Sequence, residues 1–383
     1  MTNFDYQNPV KILFGEGKIE KLSAEVPKNS RILLTYGGGS IKRNGVYQKV
    51  TSSLNDYTYY EFSGIEPNPR YETLLKAIQM VKELNIDFIL AVGGGSVIDG
   101  TKFICAASLF SGDPWTILTK NIQVEKAISF GTVLTIPATG SEMNSGAVIS
   151  RESTKEKFAF GSPVLFPKFS ILDPTTIYSL PLKQISNGIV DAYIHVMEQY
   201  LTYPSDSPIQ DRFAEGILQT LIEIGPRILE NPKDYSTCSN FMWSCTMALN
   251  GSIATGVPTD WATHMIGHEL TALFGLDHGV TLAIVYPALL KEMKEDKLEK
   301  LLQYGERVWN IKGGETDECI EKIISRTESF FRSLNIKTRL SEYGITKAQI
   351  LPIVERFQNR GWKLGERRNI TFNRIEAILN RAI

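Results

Sequence analysis

Several things are scarce in this chain of 383 residues, and each scarcity closes off a class of protein. There are four cysteines, Cys105, Cys238, Cys245 and Cys319, scattered without a Cys-x-x-Cys pair. That pattern supports neither a disulfide framework nor a thiolate zinc site. A basic surplus is missing as well: 41 Lys and Arg stand against 42 Asp and Glu, a formal net charge of -1. Gripping a phosphate backbone or an anionic membrane takes excess positive charge, so neither nucleic acid nor a membrane is expected as a partner. No stretch approaches the roughly 18 uninterrupted apolar residues of a membrane span. Met1 to Phe14 carries Asp5 and lacks the apolar core of a secretory signal. The expectation is a cytoplasmic α/β enzyme.

What is present falls into two textures. In the first half, Arg31 to Thr35, Tyr57 to Phe62 and Asp87 to Val92 read as strands, and amphipathic helices are expected over 71–84 and 97–109. Strand and helix in alternation mean βαβ units and a parallel sheet. From about Pro181 the apolar residues recur at three and four positions, as in Ile185, Ile189, Ala192 and Val196. Pro181, Pro204, Pro208, Pro226, Pro232 and Pro258 fall where helices should start or stop. The predicted fold is an α/β dinucleotide-binding domain with a parallel sheet over 1–180, then an all-α, metal-binding domain over 181–383.

Two turns of the same composition interrupt the first half. Gly37, Gly38, Gly39 and Ser40 follow the first apolar run, and Gly93, Gly94, Gly95 and Ser96 follow the third. Glycines between a buried strand and a helix let the backbone approach an anion, while the first helical amides point at it. Neither turn completes the Gly-x-Gly-x-x-Gly fingerprint, because Lys42 and Ile98 occupy the third position. The first turn also lacks an acid to hold an adenosine 2′-hydroxyl, and Ser40, Lys42 and Arg43 offer a hydroxyl and two cations instead. That composition favours NADP(H) over NAD(H), with Asp56 and Glu61, near the offset where a ribose-binding acid is sought, as the counter-argument.

Histidine is rare and unevenly placed. The four are His195, His264, His268 and His278, so the first 194 residues hold none. Asp191 and His195 are four apart, one turn along a helix face, and so are His264 and His268. A carboxylate with imidazoles suits Zn²⁺ or Fe²⁺. Methionine at 265, where a zinc peptidase carries its glutamate, removes the metalloprotease reading, and no Gly-x-Ser-x-Gly elbow supports serine hydrolysis.

Taken in order, Gly93 to Asp99, Thr135 to Glu142, Asp191-x-x-x-His195, His264-x-x-x-His268 and Asp277-His278-Gly279, with Lys157 and Asp173-Pro174, resemble the iron-containing alcohol dehydrogenases along the entire chain. The likeness is greatest to the butanol-dehydrogenase-like, NADPH-using branch. It implies Asp191, His195, His264 and His278 as ligands of one divalent metal, Fe²⁺ or Zn²⁺, with His268 a non-ligand facing the substrate. It implies Gly94, Gly95 and Ser96 at the pyrophosphate, with Gly37, Gly38, Gly39 and Ser40 at the adenosine end. Asn68, in a Pro67-Asn68-Pro69 turn, is implied near the cleft, Thr135, Thr139 and Lys157 are implied beside the nicotinamide and its ribose, and Asp99 belongs to the same cofactor set. Read from the residues alone, Lys157 would be a solvated charge and Asp99 an acid stabilising a helix N-terminus.

The chemistry implied is reversible hydride transfer between NADP(H) and a primary alcohol or aldehyde such as butanol or butanal, with His268 as proton relay. The resemblance also implies a homodimer. Alternatives within the fold are a glycerol-dehydrogenase-like polyol oxidoreductase, an NAD(H)-preferring butanol dehydrogenase and a dehydroquinate-synthase-like lyase. Outside it stand a nucleotide-binding sensor that has lost chemistry and a metallohydrolase.

Overall fold

A computed structural model describes residues 1–383, which divide into two compact units. One comprises Gln7–Pro181 with Pro232–Asn250, and the other Met1–Tyr6, Leu182–Asn231 and Gly251–Ile383. The helix Tyr235–Ala248 therefore belongs with the sheet, although it lies in the later half of the sequence.

The first unit is built on strands β1 (Lys11–Phe14), β2 (Arg31–Tyr36), β3 (Thr58–Phe62), β4 (Phe88–Gly94), β5 (Ser129–Ile136) and β8 (Phe169–Leu172). They form one sheet in the order β1-β8-β5-β4-β2-β3, with every pair parallel. Strands β6 (Gly146–Arg151) and β7 (Glu156–Gly161) make a separate antiparallel hairpin. The three expected strands form, as do helices over Tyr71–Glu83 and Gly95–Ala107. All seven residues of β4 are buried, as a central strand covered on both faces requires. Its Phe88, Leu90 and Val92 share a core with Ile32, Leu34, Val133, Phe169 and Ile171 of β2, β5 and β8.

Strand order positions the turns. From β2 the chain moves out to β3 at the edge, whereas from β4 it moves the other way, to β5. The connections reverse direction between the neighbours β2 and β4, and ligands bind such sheets at the carboxyl ends of strands flanking a reversal. Both glycine turns lie there, Gly37 to Gly39 after β2 and Gly94 to Ser96 where β4 passes into the helix Gly95–Ala107.

The second unit is helical: Leu182–Tyr200, Pro208–Glu230, Ala262–Phe274, His278–Glu292, Leu298–Trp309, Thr316–Ser333, Lys347–Arg360 and Phe372–Arg381. Leu182–Tyr200 is buried from Gly188 onward, which makes it the central helix of this unit. Pro208 opens its helix as the sequence predicts, but Pro226 lies inside that helix. Missing an N–H, Pro226 forfeits the bond to the Ile222 carbonyl. Burial of Leu221, Ile224 and Ile228 on either side carries the helix through it. No helix of the chain is long and apolar enough to cross a membrane.

Candidate metal centre and nucleotide turns

The helix Leu182–Tyr200 presents Asp191, His195 and Glu198 at intervals of four and three, so the three side chains share one face. His264 stands in the first turn of Ala262–Phe274. That helix ends at Gly275, whose φ of 69° gives a left-handed C-cap, and three residues later His278 begins the next helix. A short, sharply turned connection is what brings His278 back to His264, their ring centroids 5.2 Å apart.

One carboxylate oxygen is the meeting point. Asp191 Oδ1 lies 3.5 Å from His195 Nδ1, 3.6 Å from His264 Nε2 and 3.6 Å from His278 Nε2. These separations are too long for hydrogen bonds. Asp191 Oδ1, His195 Nδ1 and His264 Nε2 are buried, and none has a hydrogen-bond partner. Ligands bonded at about 2.0–2.2 Å to a tetrahedral cation stand roughly 3.3–3.6 Å from one another, so this donor set fits one ion. Ligand atoms of Asp191, His195 and His264 lie within 4.8 Å of each other, and His278 joins through the shared oxygen. His268, one turn beyond His264, points its ring beside the set, 5.4 Å between centroids from His278.

Electrostatics agree with that donor set. Burial opposes ionisation of Asp191, but His195, His278 and His264 outweigh it and hold the carboxyl well below its ordinary range. Burial lowers His195 to about 4, leaving it neutral at physiological pH. Burial pushes His264 the same way, yet Glu198 and Asp191 reverse the balance and raise it to about 9. Glu198 was not singled out in the sequence, and the signal available was its position seven residues from Asp191 on the same helix face.

In the first unit the structure gathers several of the expected cofactor residues. Ser96 Oγ accepts from the Asn68 amide at 3.2 Å, and Asn68 Oδ1 accepts from Lys157 Nζ at 2.8 Å. Lys157 is buried, not solvated. A Cβ on Gly95 would lie 2.4 Å from Thr139 Oγ1, so glycine is what lets the second turn and the Thr139 loop meet. Thr135 lies near the carboxyl end of β5. Asp99 is buried and spends its carboxylate inside the protein, on Ser141 Oγ at 2.6 Å and the Val148 amide at 2.9 Å. Lys102, fully buried on the same helix, donates to Ser141, Asn144 and the Gly146 carbonyl, which ties that helix to the 141–146 segment.

At the first turn, Gly39 has φ 87° and nothing within 4 Å of its Cβ position, so the loop is open to a ligand. Asp56 is exposed, whereas Glu61 is hydrogen-bonded to residues flanking the turn. Its carboxylate accepts from Tyr36 at 2.6 Å, Tyr47 at 2.5 Å and Lys42 at 3.1 Å. Partial burial works against its ionisation, but Tyr36, Tyr47 and Lys42 hold it below the usual carboxylate range.

The sequence matches the iron-containing alcohol dehydrogenase description over residues 9–174 and the C-terminal part of the Fe-containing alcohol dehydrogenase family over residues 185–383. The chain is an enzyme of the iron-containing alcohol dehydrogenase family. It is 52% identical over 377 residues to the NADPH-dependent aldehyde reductase YqhD of Escherichia coli, covering 97% of each chain. It is 43% identical over 366 residues to the probable NADH-dependent butanol dehydrogenase 1 of Bacillus subtilis, covering 94% of this chain and 95% of that one. The solved NADH-dependent butanol dehydrogenase A of Thermotoga maritima superposes with a TM-score of 0.95 at 37% identity, covering 100% of this chain and 99% of that one. The parallel-sheet domain followed by helices is thus the fold of this family.

Proposed function

We propose that the chain interconverts aldehydes and primary alcohols with NADP(H), using one Fe²⁺ or Zn²⁺ held by Asp191, His195, His264 and His278. The observation that carries this reading is the convergence of three imidazole nitrogens on Asp191 Oδ1 at 3.5–3.6 Å. A cation bound there supplies a Lewis acid toward the substrate oxygen. NADP(H), when bound, supplies or accepts the hydride. The protein's own part is positional: Gly94, Gly95 and Ser96 offer backbone to a pyrophosphate at the start of the helix Gly95–Ala107, with the Asn68–Lys157 pair bonded to Ser96. Thr135 and Thr139 line the approach to the nicotinamide, and Asp99 acts by holding Ser141. His268, outside the ligand set, is available to pass a proton at its ring nitrogen. A cytoplasmic homodimer belongs to the same reading.

Preference for the phosphorylated cofactor rests on the first turn. Glu61 is the acid that would repel a 2′-phosphate, but Lys42, Tyr36 and Tyr47 compensate it. Gly37 to Ser40 and Arg43 are left to meet the ligand. Aldehyde-dependent oxidation of NADPH is expected to exceed that of NADH by at least roughly tenfold in kcat/KM, about 1.4 kcal/mol of discrimination. NADH oxidised as efficiently as NADPH would establish instead the cofactor choice named for the Bacillus and Thermotoga relatives. Lys42→Met is expected to raise KM for NADPH roughly three- to tenfold while changing KM for NADH little, because it frees the Glu61 charge. A parallel rise for both cofactors would show that Glu61 has no part in the discrimination.

A further inference from the structure

We infer that Glu198 is a positioning residue of the metal centre: it fixes which nitrogen of His264 faces the cation. The inference rests on the metal-centre reading above and deepens it. Glu198 is buried at 1% exposure, and both of its oxygens are engaged. Oε1 accepts from the Thr263 amide at 2.6 Å, and Oε2 faces His264 Nδ1 in a short contact. A carboxylate oxygen only accepts, so the proton in that contact belongs to Nδ1. In the neutral ring, the form that ligates a cation, Nε2 is then the bare nitrogen, and Nε2 is the atom turned toward Asp191. A neutral imidazole otherwise has two nitrogens that can exchange the donor and acceptor roles, and the partner on one decides what the other can bind.

The support of Glu198 is itself anchored. Its backbone carbonyl accepts from the Asp260 amide at 2.8 Å. Asp260 Oδ1 accepts from the Ala262 amide at 3.0 Å, and its Oδ2 pairs with the buried Lys297 at 2.8 Å. Lys297 also reaches Glu366 at 3.0 Å and the Leu201 carbonyl at 2.9 Å. Between Asp260 and Ala262 stands Trp261 at φ 67°, a left-handed conformation that bulky side chains seldom adopt. Its ring lies edge-on to His264 and His195, with centroids 5.5 and 6.3 Å away. The backbone on either side of Trp261 is thus held to the helix Leu182–Tyr200 at Glu198, through the Asp260 amide and the Thr263 amide. This clamp sets the start of the helix that carries His264.

Glu198→Gln separates positioning from packing. Glutamine fills the same volume but has one accepting oxygen and one donating nitrogen. If its oxygen takes the Thr263 amide, its NH₂ faces Nδ1 and demands a lone pair there, which sends the proton to Nε2. If its oxygen takes Nδ1–H, the NH₂ opposes the Thr263 N–H. Either arrangement damages the site without changing its shape.

The test uses the full chain stripped by chelation and titrated with Zn²⁺ or Co²⁺ against a chromophoric chelator. The parent is expected to bind one ion, and Glu198→Gln to bind it about 10- to 100-fold more weakly, the range measured for such supporting partners. Equal affinity of parent and Glu198→Gln would overturn the positioning role and leave the metal centre standing. A parent that takes up no ion, or an Asp191→Ala variant that binds like the parent, would bring down the metal reading and the inference with it. Because Glu198→Gln could fail to fold, a second measurement needs no variant at that position. Nitrogen NMR of the zinc-loaded parent, with only four histidines to resolve and His264→Asn for assignment, is expected to show His264 protonated at Nδ1 and metallated at Nε2. The opposite tautomer would refute the inference.

Discussion

Asp191→Ala is expected to abolish stoichiometric metal uptake and to lower turnover by roughly three orders of magnitude or more. Its Oδ1 lies within 3.6 Å of a nitrogen from each of His195, His264 and His278. Alanine removes the single anion from the ligand set and leaves three imidazoles facing one another. The effect follows from what a Lewis acid contributes, several kcal/mol of charge stabilisation, at about 1.36 kcal/mol per tenfold in rate. Elemental analysis of the purified variant gives the first half of the result and aldehyde-dependent NADPH oxidation the second. Full metal content would remove Asp191 from the site. Unfolding temperatures measured on the metal-free proteins separate loss of the ion from loss of the fold.

The same site predicts a pH dependence of binding whose sign is set by His264. Its pKa is raised to about 9, so at pH 7 the metal-free protein carries a proton there that a cation must displace. His195, lowered to about 4, is already neutral and releases nothing at that pH. Metal affinity is therefore expected to climb as pH rises from 7 to about 9 and to level off above it. Titration at pH 7 should release the His264 proton as the ion binds, because the imidazole ligates in its neutral form. Release of no proton would mean that Glu198 does not hold His264 charged.

How much of this was legible in the sequence depended on where burial came from. β2 and β4 were readable because their apolar runs are continuous and end at glycine. β5 was not, since Gly131, Thr132 and Thr135 break the run, yet six of its eight residues are buried. Thr132 tolerates that burial by donating its hydroxyl to Ser170 on β8 at 2.8 Å, a long-range pairing that no local pattern announces. Lys157 looked like one more solvated charge and is buried against Asn68 for the same reason. The histidine cluster was visible because the residue type is rare and its spacing helical. Glu198 was passed over because an acid on a helix is ordinarily a solvated one, and only packing of the helix carrying Thr263 and His264 removes it from water.

Gly279→Ala is expected to have the largest effect of any single methyl group added near the site. A Cβ at 279 would lie 2.6 Å from the carbonyl oxygen, 2.8 Å from the Cα and 3.0 Å from the carbonyl carbon of Asn187. All three are backbone atoms of the helix Leu182–Tyr200, so no rotamer change relieves the overlap and the two helices must part. Asn187 stands one turn before Asp191, and His278 is the neighbour of Gly279, so this contact sets the distance between two ligands. The variant should lose about 1–3 kcal/mol of stability, as overpacked cores do, and bind metal at least roughly tenfold more weakly. Gly216, inside the helix Pro208–Glu230 with nothing within 4 Å of its Cβ position, supplies the control. There the same substitution should stabilise by about 0.5–1 kcal/mol, because alanine restricts the unfolded chain and meets no obstacle. Thermal unfolding of both metal-free variants, followed by zinc titration, checks the pair. If Gly279→Ala matches the parent in unfolding temperature and metal affinity, the close approach at Asn187 does not govern the spacing of Asp191 and His278.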